Sequence, residues 1–190
     1  MDPLTGVNVT ASGLLALGGA LKIARPRPAA EALGSLAPGA ARPGGHRVER
    51  VAPQPLMRLV GVAEVVIAAG ALTVGGTWFF FVQMLCFVAF TVVAAGLWRE
   101  GEVSSCGCFG EVTSPPSLAH VLVTAAATLV SARAAWADVP GLADAPLRSL
   151  PVLIAGLTTL GFVYLCLVDL PRLGDAVRQQ QRLRRDAAPT

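Results

Sequence analysis

From Trp78 to Trp98 the chain carries no charged residue, and just before it the run from Leu59 to Gly76 carries only Glu64. About 20 apolar residues rising 1.5 Å each are enough to cross the ~30 Å hydrocarbon core of a bilayer. In lipid the backbone must satisfy its own polar groups, so such runs fold as helices. The Gly75-Gly76-Thr77 junction between the two runs leaves room only for a tight helical hairpin. A third uncharged run, Leu150 to Val168, follows a loop marked by Pro140, Gly141 and Pro146. Two further runs keep the pattern while carrying charged or polar groups: Val7 to Ala24 with Asn8 and Lys22, and Ser117 to Trp136 with His120 and Arg133. Hydrophobic residues make up 54% of the 190 and charged residues 14%, a balance foreign to soluble domains. The expected fold class is therefore all-α, an integral membrane helical bundle filling residues 1–170, with spans at about 7–24, 59–76, 78–98, 117–136 and 150–168. The start, Met1-Asp2-Pro3-Leu4, lacks the basic region of a secretory signal, so the first run is expected to be retained.

Between the first two spans, residues 25–58 form a polar loop rich in Pro, Gly and Arg. Its beginning, Ala29 to Leu33 after Pro26 and Pro28, reads as a short helix start able to lie along the membrane surface. Residues 171–190 form a basic tail that includes Arg172, Arg178, Arg182, Arg184 and Arg185. The tail reads as a topology signal at a cytoplasmic end, and no nucleic-acid partner is expected. With five spans, thirteen of the fifteen Lys and Arg residues gather on the face shared by the first loop, residues 99–116 and the C-terminus; only Arg133 and Arg148 fall opposite. By the positive-inside rule that crowded face is cytoplasmic.

The stretch with most chemistry is Cys106-Gly107-Cys108-Phe109-Gly110, on a polar loop between two spans. Two thiols one residue apart close a disulfide only across a sharp backbone bend, for which Gly107 supplies the freedom. A bond in so small a ring is strained, and strained, accessible disulfides exchange with other thiols. The alternatives are a reduced pair or half of a metal site, but the second Cys/His pair that zinc requires does not appear. Cys86, near mid-membrane, reads as packing, and Cys166 as either a resolving thiol or a small buried hydrophobe.

The alternation of spans brings Lys22, Glu64, Cys106, Cys108 and His120 to one end of the bundle. Glu64 lies about 9 Å in from Arg58, and an acid in lipid must be paired or protonated. It is either the partner of Lys22 in a locking ion pair, or a proton-handling group. His120 is either a proton shuttle for a cysteine thiolate or an interfacial polar residue. The row Ser12, Ala16, Ala20 has the four-residue spacing of a close helix contact in lipid, or reflects alanine-rich composition. No haem or flavin motif identifies a cofactor, and a quinone is compatible with a redox role without any motif supporting it.

Leu21-Lys22-Ile23-Ala24-Arg25-Pro26 at the end of a first helix, Glu64 in a second, and the Cys106-Gly107-Cys108-Phe109-Gly110 loop before a further helix resemble the MauE family of methylamine-utilisation membrane proteins, which is grouped with DoxX-like proteins. The resemblance covers roughly Gly13 to Trp136 and is most specific in the cysteine loop. It implies a four-helix membrane core, beyond which the fifth span and basic tail extend. It also implies a redox-associated role in maturing the disulfide-rich small subunit of methylamine dehydrogenase, beside a thioredoxin-like partner. The expected function is thus thiol-disulfide exchange or electron relay through Cys106 and Cys108, with Glu64, Lys22 and His120 as further site residues and the lipid bilayer as constant partner. A non-catalytic membrane scaffold is the alternative, and a transporter, motivated by Glu64 alone, the third. The family's exported disulfide chemistry and the positive-inside count place the loop on opposite sides of the membrane.

Overall fold

The computed structural model describes residues 3–35, 53–100, 118–144 and 150–165, the last without 152, 162 and 164. Among the described residues the named α-helices, in order, are α1 Pro3–Ala24, α2 Pro26–Ser35, α3 Gln54–Thr73, α4 Thr77–Glu100 and α5 Leu118–Ala137. A 3₁₀ turn, Leu142–Asp144, comes next, and helical backbone resumes at the described positions of 150–165. Among the described residues no strand forms beyond an isolated bridge between Gly75 and Pro140. Helices α1, α3, α4 and α5 are each long and apolar enough to cross a membrane. The protein is an all-α membrane bundle in which α1 packs along α3 and α4 along α5.

Exposed tryptophans mark the bilayer's reach. Trp78 and Trp136 stand out at one end and Trp98 at the other, as interfacial aromatic residues do. The twenty helical steps from Trp78 to Trp98 rise about 30 Å, the hydrocarbon thickness. The Trp78 end is stitched by short polar contacts. Gly75 and Gly76 take φ of 70° and 83°, the left-handed region that glycine enters freely, and so reverse the chain between α3 and α4. Gly76 N–H donates to Val139 O at 3.1 Å, and Thr77 N–H to Asp138 Oδ1 at 3.1 Å, which caps α4 from the end of α5.

The opposite end is built differently. Arg25 N–H closes α1 on Leu21 O at 2.7 Å, and Pro26, lacking an N–H, opens α2. Ala29 and Ala30 bury themselves with Met57 of α3, and Ala32 joins the main core. The short helix expected after Pro26 and Pro28 forms, beginning at Pro26 and packing its alanine face against α3. Of the two readings of the row Ser12, Ala16, Ala20, a close helix contact or alanine-rich composition, the exposure of Ala20 favours the second for the row as a whole. The tight approach runs through Gly19 and Gly61: a Cβ built on either would sit 2.6 Å from the other's carbonyl oxygen.

Candidate functional site

The close Gly19–Gly61 contact brings the next turn of α1 against α3. Lys22 Nζ donates to both carboxylate oxygens of Glu64, at 2.9 Å to Oε1 and 2.7 Å to Oε2. Both residues are buried, at 5% and 2% exposure, so solvent screens the pair little. The ammonium also lies 4.3 Å from the centroid of the Phe90 ring, whose negative face attracts it. Phe90 is eight residues before Trp98, so the pair sits about 12 Å inside the hydrocarbon. At that depth an unpaired charge is costly, and the geometry leaves neither group unpaired. A cavity of about 170 Å³ lies beside the pair, walled by α2, α3 and α4.

Cys86, one turn below Phe90 on α4, packs against the core and lies within electrostatic reach of Glu64 and Lys22. Sequence reading gave it a packing role and did not place it next to the ion pair. A second buried polar layer also escaped the sequence reading. Ser12 Oγ donates to Gln83 Oε1 at 2.9 Å, Gln83 Nε2 donates to Ser131 Oγ at 3.1 Å, and Ser131 Oγ donates to Ala127 O at 2.8 Å. This chain ties α1, α4 and α5 at one height, and the signal for it was a lone amide in an uncharged run. One turn down α1 from Ser12, the amide of Asn8 is buried with no partner on either Oδ1 or Nδ2 among the described residues.

His120 is buried near the start of α5. Phe90 and Thr124 each lie seven residues from the Gln83–Ser131 layer on the antiparallel pair α4 and α5, and so share a height. His120 is one turn, about 6 Å, further toward the end where α4 stops and α5 begins. Lys22, Glu64 and His120 therefore occupy one end of the bundle, the first two in direct contact. Cys106, Cys108 and Cys166 lie outside the described residues. Among the described residues no three metal-ligating side chains gather.

Comparison with known proteins fits this architecture. The family model described as Methylamine utilisation protein MauE matches residues 3–138, from the start of α1 to the end of α5. The chain belongs to the MauE family. It is accordingly a multi-pass membrane protein of methylamine utilisation, with the MauE match covering all four long helices, the ion pair and the cysteine loop. No curated protein and no solved structure matches it. The segment 150–165 lies beyond the MauE match and packs on it: Thr10 Oγ1 is 3.3 Å from Gly156 O, and Leu160 sits against Gly13.

Proposed function

We propose that this MauE-family protein performs thiol-disulfide exchange through Cys106 and Cys108, with a thioredoxin-like dithiol protein as partner. The observation that carries the reading is positional: α4 ends at Glu100 and α5 begins at Leu118, so the loop holding both cysteines leaves and re-enters at the end of the bundle where Lys22–Glu64 and His120 lie. In the exchange, a thiolate of the reduced partner attacks one sulfur of the Cys106–Cys108 disulfide, forming a mixed disulfide and releasing the other sulfur as a thiolate. The partner's second thiolate then attacks the partner's own sulfur in that mixed disulfide and displaces the bound loop sulfur as a thiolate, so the partner leaves oxidised and the loop pair, having gained two electrons, takes up two protons as a dithiol. The reverse sequence oxidises the loop pair at the partner's expense. His120, at the foot of the loop, serves as proton carrier for the leaving thiolate. Lys22 and Glu64 are positioning residues: bound to each other, they hold α1 to α3 beneath the loop. The crowding of Arg and Lys on the loop end supports a cytoplasmic loop, and on that side the resting pair is reduced.

Trapping tests this. With Cys108 replaced by Ser, attack through Cys106 leaves nothing to resolve the mixed disulfide, and the converse holds for Cys106→Ser. Incubated with an oxidised thioredoxin-like protein whose own resolving cysteine is replaced by Ser and whose attacking thiol carries an activated aromatic disulfide, one single variant should form a stable, reductant-sensitive adduct; the double Ser variant should form none. Equal adduct formation by the double variant would place the reactive thiol elsewhere, at Cys86 or Cys166. A scaffold role is favoured by one observation, the fully mutual satisfaction of the Lys22–Glu64 pair, and would be signalled by complete complementation from the double Ser variant.

A further inference from the structure

Helices α1 and α5 touch far less than α1 with α3 or α4 with α5, and the space between them is a groove of about 420 Å³. Its third wall is the helical segment 150–165, through Ala155, Gly156 and Thr159. No charged residue lines it, and small side chains such as Ala11, Ala126 and Ala127 make its surface. Its two hydroxyls are already committed: Thr10 Oγ1 lies 3.2 Å from Gly6 O and Thr159 Oγ1 donates to Ala155 O at 2.8 Å. Height follows from the Ser12–Gln83–Ser131 layer. Gly6 is six residues below it on α1 and Val123 eight above it on α5, so the groove is about 20 Å tall. It rises from near the level of Trp78 and ends well below Trp98, wholly among lipid chains.

We propose that this groove is a binding site for one acyl chain of a phospholipid from the leaflet on the Trp78 and Trp136 side. Water is disfavoured there, because a buried water needs two or more polar partners and the two hydroxyls of the lining, Thr10 and Thr159, are already bonded to backbone carbonyls within an otherwise aliphatic surface. A second helix does not fit a crevice this narrow between helices already in contact. An extended chain does: a leaflet is about 15 Å deep, and a groove slightly taller, walled on three sides and open to lipid on the fourth, matches one tail lying along α1. Because residues 150–165 supply a wall, the site depends on a part of the chain beyond the family match.

Native mass spectrometry of the full-length protein released from mild detergent tests the assignment, with Ala126→Leu/Ala155→Leu as the groove-filling variant. Both alanines are exposed toward the groove, so the added methyl groups displace lipid and leave the core packing intact. The unaltered protein should retain one phospholipid through delipidation. The variant should lose it by about tenfold or more, the expected result of removing contact worth two or so methylenes. Equal retention by the two proteins, no retained lipid in either, or retention of a free fatty acid or isoprenoid in place of phospholipid would each overturn the proposal. Circular dichroism confirms helicity, and should the double variant misfold, Ala126→Val alone must still reduce retention.

Discussion

At the scale of residues, Lys22 and Glu64 are the strongest electrostatic commitment in the described protein, and their burial makes them asymmetric under mutation. Removing one partner from a buried pair strands the other and costs about 3–5 kcal/mol, whereas replacing both with apolar groups of similar volume is commonly neutral. Lys22→Met and Glu64→Leu alone should therefore each lower the midpoint of thermal unfolding in detergent sharply, and the double variant should recover most of the loss. If the double variant folds like the original protein yet fails in thiol exchange, the pair handles protons; if it works, the pair only positions α1. Asn8 makes the opposite case. A buried amide with no partner costs about 1–3 kcal/mol, so Asn8→Leu should raise the melting midpoint. A fall would mean that the amide has a partner beyond the described residues.

At the scale of elements, the approach of α1 to α3 depends on the absence of two side chains. An alanine Cβ at Gly61 would stand 2.6 Å from Gly19 O, a backbone atom that cannot turn aside. Gly61→Ala should cost about 1–3 kcal/mol by prying the helices apart, visible as a lower unfolding midpoint. Gly13→Ala meets only the tip of Leu160, which can rotate, and should be nearly silent in the same measurement. This contact also shows what the sequence could reveal. Runs such as Trp78–Trp98 announce a helix by length alone, and Glu64 in lipid demands a partner, so the bundle and the Lys22–Glu64 pair were both legible. The helix face was not: Ser12, Ala16 and Ala20 and the true contact at Gly19 differ by a fraction of a turn, and only packing decides between them. Gln83 is inconspicuous in the sequence because one amide scarcely alters the hydropathy of its run, yet it ties three helices. The helix start near Ala29 was legible, but its first turn at Pro26 and its packing on Met57 depend on tertiary contact that the sequence does not display.

At the scale of the whole molecule, the proposed orientation has the loop that joins α4 to α5 in the cytoplasm and the stitched turn around Asp138 outside. A cysteine introduced at the exposed Ala143, in an otherwise cysteine-free chain, should react with a membrane-impermeant maleimide on intact cells. Native Cys106 and Cys108 should react only after lysis; reaction on intact cells would turn the protein over and place its chemistry on the exported side. The central claim, that these two cysteines form one redox unit, has a more direct test, which holds for either orientation. In a chain where Cys86 and Cys166 are replaced by Ala, membranes are treated with oxidant, then alkylated with a mass tag with and without prior reduction. A redox pair should carry no tags after oxidation and two after reduction, the two sulfurs opening and closing together as one ring. Two tags without reductant, under every oxidant tried, would contradict it.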